Sequence, residues 1–124
     1  MLKNNGGIPE SVTVGGEEYK IEVRENVLFK GSTAWGLLDR RLHLISLSRG
    51  LCDVELKKTL FHEISHIISH EGHLDLGEDQ CDRLGKAMIM FILENPELIL
   101  ALLGIPEEEE QDMVYQIETS NSGE

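Results

Sequence analysis

Leu60-Phe61-His62-Glu63-Ile64-Ser65-His66-Ile67-Ile68 is the stretch on which the reading of this chain turns. Its two histidines are four positions apart, so on a helix they lie roughly 40° apart around the axis and about 6 Å along it. Both imidazoles can then reach one ion. Glu63 projects roughly 60° to the side of His66, close enough to hold a water on that ion without ligating the ion itself. The same wheel puts Leu56, Leu60, Ile64, Ile67 and Ile68 on the opposite arc, with Phe61 at its margin. One face suits a core and the other a cleft, which is what rigidly held but open metal ligands require. With 5 His and 23 acids in 124 residues, the pattern arises by accident on the order of once in a hundred such chains.

Working outward, the helical period begins at Asp53, a predicted N-cap, and runs to about Ser69 or His70, ending before Gly72. A second helix is predicted from Glu78 to about Asn95, where Pro96 stops it. Its apolar side is Cys81, Leu84, Met88, Phe91 and Ile92. Pro96 opens a short third helix through Leu103, with Gly104 as terminator. A further turn or two is predicted over Glu107 to Ile117.

Upstream the period is two. Ser11 to Val14, the pair Gly15-Gly16, and Tyr19 to Val23 read as a β-hairpin. A second strand pair is predicted over Thr33 to Leu38 and Leu42 to Leu47, with Asp39-Arg40-Arg41 as the turn. Strands followed by helices give an α+β class, with a small antiparallel or mixed sheet packed on the histidine helix and the second helix. One domain is expected over residues 1–118, with Thr119 to Glu124 a disordered tail.

A catalytic zinc takes three protein ligands and keeps one position for water. His70 sits another turn beyond His66 and cannot easily join His62 on one ion. A third histidine at position 72 is ruled out by Gly72, and His73 and Asp75 reach the metal only through a favourable turn. Glu78 is the better candidate, because packing the second helix on the first brings it beside the histidines. Asp82, one turn on, could then accept a hydrogen bond from a ligand histidine and fix its tautomer. Acids in a first helical turn are also favoured by the helix dipole alone, so Glu78 has an ordinary structural reading as well. Tyr19, His43 and Tyr115 are the candidates for stabilising an oxyanion.

The net charge of −12 argues against a nucleic-acid or anionic-membrane partner, since phosphates need Lys and Arg. Met1 to Gly7 lacks the apolar segment of a signal peptide, and Ala87 to Leu103 is broken by Glu94, Asn95 and Pro96 before it reaches spanning length. Cys52 and Cys81 lack CxxC spacing, so a reduced cytoplasmic protein is expected.

The motif resembles that of the gluzincins, in which a glutamate on a later helix, within an ExxxD or ExxA(N/D) element, is the third ligand. Glu78 and Asp82 match that element, with Cys81 where Ala is usual. Leu60 to Ile68 resembles the active helix of the small ImmA/IrrE-type peptidases and their phage-encoded relatives. Gly36-Leu37-Leu38-Asp39, followed by Leu42 to Leu47, resembles the strand pair that precedes that helix. The likeness spans roughly residues 30 to 95. Ser65 and Gly85 depart from it, standing where Gly and Ala are common, and there is no N-terminal helix ahead of the first strand. The resemblance implies a minigluzincin-like zinc peptidase that cleaves a cytoplasmic protein, repressors of mobile elements being among such targets. In that reading Zn²⁺ is held by His62, His66 and Glu78, Glu63 is the general base, and the strand at Leu42 to Leu47 is an edge that binds peptide. The rival is a non-catalytic metal-holding module of the same fold that recognises a partner protein.

Overall fold

Gly15 and Gly16 both have positive φ, 60° and 87°, the backbone that a tight two-residue hairpin loop requires and that glycine adopts without strain. They join β1 (Ser11–Val14) to β2 (Glu17–Arg24) with Val14 opposite Glu17. The computed structural model describes residues 7–105. The segment predicted helical from Glu107 to Ile117, the tail, and Tyr115 lie outside the described residues.

After β2 a miniature hairpin forms, β3 (Leu28–Phe29) and β4 (Ser32–Thr33), turning at Lys30 and Gly31. Then come β5 (Gly36–Asp39) and β6 (Leu44–Ser48). The predicted second strand pair exists, but each strand starts two or three residues later than expected. Thr33 is taken by β4. At the turn, Asp39 Oδ1 accepts the Leu42 N–H at 3.0 Å and His43 adopts a φ of 53°, which removes Leu42 and His43 from the strand.

The four-stranded sheet has the order β1-β2-β6-β5. β2 and β6 pair in parallel, Ile21 opposite Ile45 and Val23 opposite Leu47, whereas β5 and β6 are antiparallel. The sheet is therefore mixed. This topology corrects the expectation that Leu42 to Leu47 is an edge: β6 is an inner strand, and the edges are β1 and β5. A parallel partner 24 residues upstream, Ile21 for Ile45, leaves no local turn signal, so sequence proximity suggested a simple hairpin with a free outer side.

Helix α1 (Asp53–Glu71) lies on this sheet. Its N-cap is Cys52 rather than Asp53, because Glu55 reaches back to accept the Cys52 N–H at 3.0 Å and Asp53 pairs with Lys57 at 3.1 Å. Leu56, Leu60, Ile64 and Ile67 are buried against Ile8, Tyr19, Ile21, Ile45 and Leu47. Each such side chain stabilises the fold by roughly 1.5–3 kcal/mol relative to exposure.

Helix α2 (Glu78–Glu94) runs antiparallel to α1, and α3 (Pro96–Leu103) follows, closed by Gly104 in the left-handed conformation at φ 73°. The α1–α2 seam is made of small groups. A Cβ on Gly85 would lie 2.6 Å from the Phe61 carbonyl oxygen. The fully buried Ser65 hydroxyl sits 2.6 Å from the His62 carbonyl and 2.7 Å from that of Cys81, donating its one proton to either. This close approach sets the rotation of α2. Cys81, Gly85 and Ile89 form the buried line, and Phe91, expected on the apolar side, is 51% exposed. No helix among the described residues is long and apolar enough to cross a membrane.

Candidate metal centre

His62 and His66 stand on the cleft side of α1, their ring centroids 5.0 Å apart. One donor atom from each of His62, Glu63 and His66 lies within 4.8 Å of the other two, so this group could hold a metal ion. The helical spacing read from the sequence is realised because the opposite face of α1 is fixed in the core.

Glu78, at the first position of α2, reaches across to both rings. Its Oε2 is 2.9 Å from His62 Nε2 and its Oε1 is 2.8 Å from His66 Nε2. The Glu78 side chain is 74% exposed, so its charge is partly screened by solvent. Asp82 Oδ1 lies 2.9 Å from the other ring nitrogen of His62, Nδ1, and Asp82 Oδ2 lies 3.0 Å from Lys86 Nζ. The His62 hydrogen bond, and next that of Lys86, holds Asp82 below the usual carboxylate range.

The Asp82 contact selects the tautomer of His62. An ionised Asp82 only accepts, so His62 Nδ1 carries hydrogen and a neutral ring has its lone pair on Nε2. That lone pair would face a Glu78 carboxylate oxygen at 2.9 Å. Two such acceptors repel unless a proton or a cation lies between them. The same carboxylate also faces His66 Nε2, so the cluster calls for positive charge at the point where two nitrogens and a carboxylate meet. The donor chemistry fits a divalent ion that favours imidazole and carboxylate. Ligand atoms about 2.0–2.1 Å from a common tetrahedral ion lie roughly 3.3 Å apart, a little more than the two contacts that Glu78 makes here.

Glu63 is set differently. It is 7% exposed, and burial pushes its carboxyl up to about 7, with His62 opposing the rise and Glu78 adding to it. A cation held by the neighbouring imidazoles would pull it back down. The strand β5 passes beside it. A Cβ on Gly36 would lie 3.1 Å from Glu63 Oε2 and 2.6 Å from Thr59 Cγ2. The missing side chain is what lets the edge strand pass beside this carboxylate.

Two clefts meet here, sharing Gly36, His62 and Glu63. One, of about 540 Å³, extends toward the start of α1 past Trp35, Lys58 and Lys86. The other, of about 660 Å³, runs along Leu37 to Arg40 past His66 and Glu78. The outer edge of β5 borders both.

Other residues singled out in the sequence lie elsewhere. Tyr19 is buried in the core and stacks on His43 at 4.3 Å; neither lines these clefts, so both drop out as oxyanion stabilisers. His70 is exposed and lines neither cleft. His73 and Asp75 occupy the α1–α2 loop with left-handed φ and line a separate recess with Arg40. Gly36, Lys58 and Lys86 were not identifiable as site residues from sequence, since only the packing of β5 and α2 on α1 brings them there. Comparison of the chain with family models, curated proteins and solved structures gave no match.

Proposed function

We propose that the chain is a zinc-dependent peptidase that hydrolyses a peptide bond in a protein substrate, with His62, His66 and Glu78 holding the ion. The observation that carries this reading is the Glu78 carboxylate set against both Nε2 atoms while Glu63, close by, makes neither contact. Two histidines and a glutamate with one open position form a donor set used by catalytic zinc. Glu63 is then reserved for protons.

Zinc, when bound there, supplies Lewis acidity, lowering the pKa of water toward neutrality and polarising a carbonyl. Glu63 takes the proton from the attacking water and returns it to the leaving amine. Its burial beneath Gly36 keeps the carboxylate oriented and shielded from bulk water. Asp82 holds the His62 ring so that Nε2 points at the ion, and Lys86 holds Asp82. The free side of β5 offers unpaired backbone groups along the cleft, and an extended peptide would add there as a further strand. Cys52 and Cys81 are free thiols, in keeping with a cytoplasmic setting.

The test is cleavage by zinc-loaded protein, with Glu63→Gln as its partner. Incubation with a proteome extract should generate new protein termini. Glu63→Gln should abolish them while retaining zinc and fold. If wild type and Glu63→Gln both yield none, the metal-holding binding module takes its place.

A further inference from the structure

Along the α1–α2 groove the facing residues form rungs. His66 meets Glu78, and His62 meets both Glu78 and Asp82. One turn further, Lys58 from α1 and Lys86 from α2 line the same 540 Å³ cleft. Lys58 is four residues before His62, about 6 Å along the helix. Two ammonium groups in one cleft disfavour each other unless an anion lies near.

Asp82 supplies that anion to Lys86, but none of the acids lining this cleft makes an ion pair with Lys58. Both Asp82 oxygens are engaged, by His62 and by Lys86. Glu55 Oε1 accepts the Cys52 N–H at the start of α1. Glu63 is buried under Gly36 beside the histidines. Lys58, half-buried, has no ion pair among the described residues. In a chain of 23 acids and 11 bases, a half-buried lysine without an ion pair in the cleft beside the metal centre is a specific feature. Trp35, 57% exposed on the cleft wall, offers a flat apolar face for an aliphatic stem.

We infer that this cleft is a subsite for a carboxylate of the substrate, held by Lys58 with Lys86 beside it. The inference rests on the peptidase reading of the centre. About 6 Å is less than two residues of extended peptide at roughly 3.3 Å each. The carboxylate therefore belongs to a glutamate or aspartate near the cleaved bond, or to the C-terminus of a short peptide.

Binding tests this separately from turnover. Zinc-loaded Glu63→Gln protein is immobilised and offered three seven-residue peptide pools without other acids. The first has a central glutamate and blocked ends, the second a central glutamine and blocked ends, and the third a central glutamine with a free C-terminal carboxylate. Retention of the first or third pool should exceed that of the second at least tenfold, the stronger one identifying the source of the carboxylate. Adding Lys58→Glu should remove or invert the preference while zinc content and circular dichroism stay unchanged, and added salt should weaken it. Equal retention of all pools, or a preference that survives Lys58→Glu, overturns the subsite. A preference that depends on Lys58 in a protein whose wild type cleaves nothing leaves the subsite standing and removes the peptidase reading instead.

Discussion

Asp82 Oδ1 sits 2.9 Å from His62 Nδ1, one turn of α2 beyond the carboxylate that faces His62 Nε2. The imidazole is thus gripped at both nitrogens by acids from a single helix. The register between α1 and α2 becomes a determinant of metal binding, and the predictions below follow from it.

Asp82→Ala should lower zinc affinity about 10–100-fold, the usual effect of losing a carboxylate that orients a ligand histidine. The half-exposed position makes the effect on folding small. Competition with a chromophoric chelator measures the affinity; an unchanged value would show that the hydrogen bond does not orient the ring.

Glu78→Ala should cost more metal affinity than Asp82→Ala, because it removes the carboxylate that touches Nε2 of both histidines. The side chain is largely exposed, so the metal-free melting temperature should barely move. Equal losses for the two variants would point to Glu63 as the third ligand.

Chelation should leave the fold in place. The core of Ile45, Leu47, Leu60 and Ile67 is built without the centre. Zinc at about 1,000 times its Kd adds about 4 kcal/mol, so chelator should lower the melting temperature and zinc should restore it. Loss of helical circular dichroism at 25 °C on chelation would contradict this.

Gly36→Ala should destabilise by about 1–3 kcal/mol, the scale of overpacking, and should depress cleavage by crowding Glu63. The new methyl meets Thr59 Cγ2 at 2.6 Å, so Thr59→Ser should recover part of the stability. Thermal melts of the single and double variants read the coupling, and strictly additive losses would rule out the contact.

Gly85→Ala meets backbone rather than a flexible side chain, at 2.6 Å from the Phe61 carbonyl. It should lower both stability and zinc affinity by pushing α2 away from α1. Ser65→Ala, which removes only the buried hydroxyl between the helices, should cost about 1 kcal/mol. If Gly85→Ala keeps full zinc affinity, helix spacing does not govern the centre.

Much of this arrangement was legible in the sequence because it depends on periodicity within single elements. The histidine pair, the opposed Leu56–Ile67 face, the Gly15-Gly16 turn and the Pro96 and Gly104 boundaries are local signals, and each element appears where its residues put it. What was not legible is relational. Parallel pairing of β2 with β6 decides which strand is the edge, and no turn residue announces it. Gly85 fixes the rotation of α2 and so exposes Phe91, against the expected apolar stripe. The place of Gly36 beside Glu63, and of Lys58 across from Lys86, follows only once three elements are packed together.

Zinc K-edge X-ray absorption on protein purified without chelator bears most directly on the centre. We expect one zinc per chain, with two imidazoles and oxygen donors at about 2.0–2.1 Å, and loss of one oxygen-donor contribution in Glu78→Ala. Substoichiometric zinc in freshly purified protein, or a sulfur scatterer at about 2.3 Å, would contradict the assignment.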